Sequence, residues 1–135
     1  LKHLSKLTSL QRIGLSGTML NDDSVHHVAS LQSLTALSLR GTNISDRCSH
    51  HLAQLTQLQV AWLDRTHITE NGLRWLSELP HLKELGLRNC PVGDGFLAIA
   101  ASMKELTVLN IFGTLISDAA VSALKTLLPQ CEIIQ

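Results

Sequence analysis

Aromatic side chains are nearly missing from this sequence: its 135 residues hold two Trp, two Phe and no Tyr. Most globular cores draw more of their volume from aromatic rings. A core of Leu, Ile and Val points instead to one small unit copied many times. Charge of one sign is missing as well. Eleven basic and eleven acidic residues cancel, so no global field favours nucleic acid or an anionic membrane. No apolar run approaches the length of a membrane span, and the first residues do not form a signal peptide. Three cysteines, Cys48, Cys90 and Cys131, show no CxxC spacing and leave an odd thiol. That argues against a disulfide framework and favours a reducing, cytoplasmic compartment. A lone glycosylation sequon, Asn43-Ile44-Ser45, is the one feature pointing outward. P-loop, Gly-x-Ser-x-Gly and His-Glu-x-x-His signatures are all absent. The chain is expected to be no enzyme and to need no cofactor.

What is present is a period. Stepping by 24 from Leu10 gives Leu34, Leu58, Leu82 and Leu106. From Ile13 the series is Leu37, Ala61, Leu85, Leu109, and from Leu15 it is Leu39, Leu63, Leu87, Ile111. The columns of Leu20 and Leu31 stay apolar throughout, leaving Ala61 as the one weak member of the five. Internal repetition at such a period marks stacked units that share one continuous core.

Two polar columns run in phase with these. Thr18, Thr42, Thr66, Cys90 and Thr114 form one; Asn21, Ser45, Thr69, Gly93 and Ser117 form the other. The second contains only residues suited to cap a helix N-terminus. An acid follows each cap (Asp22, Asp46, Glu70, Asp94, Asp118), where the positive end of a helix dipole favours it. Apolar positions at spacing three after the cap predict a short helix buried on one side. Before the cap, Leu-x-x-Leu-x-Leu alternates with period two and predicts a short strand. Strands are expected near 10–16, 34–40, 58–64, 82–88 and 106–112, with a possible sixth at 131–135.

On these residues the chain resembles the leucine-rich-repeat family, whose pattern is Leu-x-x-Leu-x-Leu-x-x-Asn/Cys/Thr-x-Leu. The Thr-x-Ile-Ser-Asp variant at Thr42–Asp46 and Thr114–Asp118 is similar to an intracellular or bacterial class of these repeats. The resemblance implies an α/β, right-handed solenoid of about five repeats in a single domain, with parallel strands on a concave face and short helices on a convex one. It also implies a module that binds a protein or peptide. Leu4 and Leu7 fall in the helix-tail phase of an earlier unit, so the natural protein is expected to be longer or part of a larger assembly. An architectural spacer, or the substrate-receptor part of a ubiquitin ligase, is the alternative.

In such a stack the alternate strand residues form ladders on the concave face, about 4.8 Å apart. One ladder is Gly14, Ser38, Trp62, Gly86, Asn110; the next is Ser16, Arg40, Asp64, Arg88, Phe112, beside Gly17, Gly41, Arg65, Asn89, Gly113. Trp62 stands between two small neighbours and is expected to be open to solvent and partner. Arg40, Asp64, Arg65, Arg88 and Phe112 surround it as binding candidates, since Trp and Arg are enriched at interface hot spots. Two bland readings compete with this. Ala61 could mark a distortion that turns Trp62 inward, and Arg40, Asp64 and Arg88 could be a charge ladder that only keeps the sheet soluble.

Three other features tempt. His26-His27 and His50-His51 lie 24 apart, so four imidazoles could meet on the convex side as a metal or pH-sensing site. Duplication of a repeat leaves the same pattern, and surface histidines are the stronger reading. Gly93-Asp94-Gly95-Phe96-Leu97-Ala98 matches a dinucleotide fingerprint, but Asp94 would repel a pyrophosphate and Gly93 is already explained by the repeat phase. Cys90 takes a place in the Thr column, which reads as structural.

Overall fold

The computed structural model describes residues 1 and 3–135. Six three-residue strands form one sheet in chain order: β1 Arg12–Gly14, β2 Ala36–Ser38, β3 Val60–Trp62, β4 Glu84–Gly86, β5 Val108–Asn110 and β6 Glu132–Ile134. Every pairing is parallel, and each register step is 24 residues, from Arg12↔Ala36 to Val108↔Glu132. The sixth strand therefore continues the period of the other five. Parallel neighbours need a crossover between them, and the rest of each unit supplies it. The result is an α/β repeat solenoid.

The middle residue of each strand faces the core. Leu37, Ala61, Leu85 and Leu109 are buried, and Ile13 and Ile133 at the two outer strands are half-buried. The two flanking Leu columns close over them, with Leu34, Leu39, Leu58, Leu63 and Leu87 fully buried. Each such Leu contributes about 1.5–3 kcal/mol of burial. Ala61 keeps this register, so the smallest member of its column does not rotate the strand.

Helices are shorter than the apolar spacing implies. In the first two complete units the cap is followed by a single 3-10 turn (Asp22–Ser24, Asp46–Cys48), then by α1 Val25–Ala29 and α2 Ser49–Leu52. The third unit has only a 3-10 helix, Arg74–Glu78, beginning five residues after its cap Thr69. α3 Phe96–Ala100 and the ten-residue α4 Asp118–Leu127 follow. A 3-10 helix rises about 2.0 Å per residue, against 1.5 Å for an α-helix. It spans the same length with fewer residues.

The caps themselves form as the residue types predict. Asn21, Ser45, Thr69 and Ser117 accept backbone N–H bonds from Ser24, Arg47, Asn71 and Ala120. The acids beside them do something the sequence did not suggest. Asp22 accepts from the amide (2.7 Å) and hydroxyl (2.6 Å) of Ser45 in the next unit. Asp46 does the same to Thr69 at 2.7 and 2.6 Å, and Asp94 to Ser117 at 2.7 and 2.8 Å. At the third of these four junctions the partner is Gly93, which has no hydroxyl. There the longer Glu70 takes its amide alone, at 3.0 Å. Each of these four acids thus staples its own repeat to the following one.

Charge-assisted bonds of this kind favour the ionised acid. Burial alone would raise the Asp22 carboxyl, but the Ser45 hydroxyl and amide, with the Cys48 thiol and the Arg47 charge, together outweigh it and hold the group below its ordinary value. Asp94 is held down by the Ser117 amide and hydroxyl. The Thr column closes the turns in parallel: Thr42 and Thr66 are buried and donate to the carbonyls of Leu39 and Leu63 at 2.7 Å. No helix among the described residues is long and apolar enough to cross a membrane.

Candidate functional site

The sheet's outer face is built by the first and third residue of each strand and by the turn that follows. Because Ala61 points into the core, Val60 and Trp62 must project the other way. Trp62 pairs laterally with Ser38 on β2 and Gly86 on β4. A Cβ on Gly86 would lie 3.1 Å from Trp62 Cδ1 and 2.8 Å from Asp64 Oδ2. Only glycine leaves room there for both the indole and the carboxylate.

Trp62 is half-buried rather than fully open. The Arg40 guanidinium lies over its ring, 4.5 Å from the centroid, and supplies the cover that Ser38 and Gly86 do not. Arg40 Nε also donates to Asp64 Oδ2 at 2.6 Å. Asp64 itself is buried, and its other oxygen accepts the Arg88 backbone N–H at 2.8 Å. Its carboxylate therefore ties three successive units together and positions Arg40 over Trp62. It is not a free contact for a partner.

The charge ladder is half formed. Arg40 pairs with Asp64, but the Arg88 guanidinium turns away to lie over Phe112, 5.0 Å from its centroid. Arg88 and Phe112 are exposed, Phe112 at 48 %. Arg65 is exposed too, and sits in the left-handed region at φ 56°. Two adjoining depressions mark this face. One of about 510 Å³ is lined by Arg40, Asp64, Arg65, Arg88 and Asn110. The other, of about 370 Å³, lies over β1–β4 with Trp62 in its wall between Arg12 and Glu84. Such concavities are where ligands of repeat solenoids gain contact area.

On the helical side the histidines do approach one another. His26 and His51 rings lie 6.1 Å apart, and each lies 3.9 Å from the tilted ring of its sequence neighbour, His27 or His50. Among the described residues, however, no group of three His, Cys, Asp or Glu side chains is arranged to hold a metal ion. His26 Nδ1 is bonded to the Asp23 carbonyl at 2.6 Å. Burial first, then the charges of His50 and His26, keeps the His51 imidazole below its ordinary value.

The thiols are arranged for structure. Cys90 is buried and donates to the Leu63 carbonyl at 3.1 Å, so in this copy of the Thr column the larger sulfur reaches the preceding unit's turn. Burial pushes its pKa up. Cys48 is pushed to about 12 by burial and then by the nearby Asp22 carboxylate, and Cys131 to about 11 by burial and Glu132. Thiols held that high are poor nucleophiles near neutral pH.

Two residues already visible in the ladders take on roles that the residue pattern alone did not assign. Gly86 sets the indole's position, and Arg65 occupies a left-handed conformation that its column otherwise gives to Gly17, Gly41, Asn89 and Gly113. Both signals were in the ladders, as a small residue beside a large one and a bulky residue among glycines.

Known proteins place the architecture. The family described as Leucine Rich repeat matches residues 30–47. No curated protein matches the chain. A leucine-rich-repeat protein of Leptospira interrogans is similar in structure over 100 % of this chain and 33 % of its own, at 23 % identity and TM-score 0.75. Internalin C2 of Listeria monocytogenes aligns with 98 % of this chain and 64 % of its own, at 26 % identity and TM-score 0.65. A second internalin of that organism covers 100 % of this chain and 44 % of itself, at 20 % identity and TM-score 0.63. The chain thus spans between a third and just under two thirds of these proteins' lengths.

Proposed function

We propose that this chain, a member of the leucine-rich-repeat proteins, works as a recognition module whose outer sheet face binds a protein or peptide around Trp62. One observation carries the reading. Trp62 is clamped between Arg40 and the gap above Gly86, in the wall of a depression, while its strand neighbour Ala61 holds the core register. A large indole kept half-exposed at a fixed angle is an anchor that costs little ordering entropy on binding. Exposed Phe112 and the Arg88 stacked on it extend the same surface. A catalytic role finds little support, since the cysteines are tied into turns and burial.

The test is a parallel selection of displayed peptides on the intact protein and on Trp62→Ala. The substitution is expected to leave the thermal midpoint close to wild type and to weaken the selected peptides by about 2 kcal/mol. Peptides that bind both proteins equally would remove Trp62 from the site. Trp75 is buried, so in a Trp75→Phe background Trp62 becomes a single fluorescent reporter of occupancy.

A further inference from the structure

Around the larger depression, Arg40, Arg65 and Arg88 bring three guanidinium charges against the one carboxylate of Asp64. Asp64 is consumed by Arg40 and by the Arg88 amide. Among the described residues Arg65 and Arg88 have no acidic partner, the only ion pair being Arg40–Asp64. The chain as a whole is neutral, so this local excess of two positive charges does not follow from a basic background.

The backbone adds an independent observation. Five equivalent turn positions adopt positive φ: Gly17, Gly41, Arg65, Asn89 and Gly113. Glycine takes that conformation without strain, and asparagine is the residue that tolerates it next best. Arginine gains nothing locally there. Strain retained at one copy of a repeat points to a side chain needed for something other than the fold.

Resting on the binding role proposed above, we infer that the partner is an acidic peptide segment, with an Asp or Glu carboxylate received between Arg65 and Arg88. Guanidinium forks match a carboxylate bidentately, and Phe112 and Trp62 flank the charged centre with apolar surface for the neighbouring side chains. Two surplus charges are too few for the phosphate track that nucleic-acid binding needs.

A random dodecapeptide library displayed on phage, selected on the intact protein at low salt, tests this. Enriched peptides are expected to carry an excess of Asp and Glu and to weaken as salt is raised. Arg65→Gly is expected to lower their affinity about tenfold without lowering the thermal midpoint, and Arg65→Lys to restore part of the loss. A structural role for Arg65 would instead lower the midpoint and leave affinity unchanged. Peptides without acidic bias that still depend on Trp62 would overturn the partner class and leave the binding face standing. Peptides indifferent to Trp62→Ala would overturn both. Displacement of the selected peptides by a dT12 oligonucleotide, in an Arg65-dependent manner, would replace the acidic peptide with nucleic acid.

Discussion

Two ladders run the length of this molecule at the same 24-residue step, and they have opposite characters. On the cap side, an acid meets the next unit's cap at all four junctions from Asp22–Ser45 to Asp94–Ser117, with Glu for Asp only where the partner is Gly93. On the outer sheet face one ladder reads Ser16, Arg40, Asp64, Arg88, Phe112, with no two neighbours alike. A column whose job is to join repeats must satisfy the same geometry each time, so its chemistry repeats. A column facing solvent has no such constraint, and its variation is free to encode a partner.

The contrast can be broken within a single strand of β4. Leu85 faces the core and Gly86 the outer surface. Leu85→Ala is expected to cost about 3 kcal/mol, the largest effect among these changes, read as a lowered midpoint in denaturant unfolding. Next in size is the staple. Asp46→Ala removes two charge-assisted bonds to Thr69 and is expected to cost about 2 kcal/mol, whereas Arg88→Ala on the varied ladder should stay within about 0.5 kcal/mol. Equal losses for the two would erase the distinction drawn here. Because Asp22 and Asp94 are held below their ordinary values in the folded chain, the unfolded chain takes up protons first. The staple's contribution is therefore complete above about pH 4 and is lost as pH falls further. Asp94→Asn should flatten that part of an acid-unfolding profile.

Smaller effects sharpen the outer face. Arg65→Gly should raise stability by up to about 1 kcal/mol, the strain of a left-handed residue less the added freedom of the unfolded chain. A loss of stability would show that Arg65 has a structural task after all. The smallest change concerns His51, whose imidazole is held below its ordinary value by burial and by His50 and His26. Stability should fall slightly as pH drops below about 6.5, since the unfolded chain then binds the proton more readily. His51→Gln should remove this slope in melts between pH 7.5 and 5.5.

Much of the fold was legible without coordinates, and the reason lies in its one-dimensional order. Leu37, Leu85 and Leu109 could be placed in one column because each unit contacts its neighbours at a constant offset. The cap column was equally legible, since Asn21, Ser45, Thr69 and Ser117 are chosen by local backbone chemistry. Tertiary structure decided matters that depend on distances between units. It set Asp22 and its successors on the next repeat's cap rather than on their own helix dipole alone. It replaced the third unit's helix by the 3-10 segment Arg74–Glu78, and it made Phe96 a fully buried core residue that the three-residue spacing had not included. It also buried Asp64, a residue that looked available as a contact, and drew Arg40 onto Trp62. A sequence carries the period directly, because local propensity and burial recur with it. Which carboxylate meets which amide, and which arginine stays unpaired, depends on side-chain reach across a sheet only a few ångströms per strand wide, and only the assembled stack sets that.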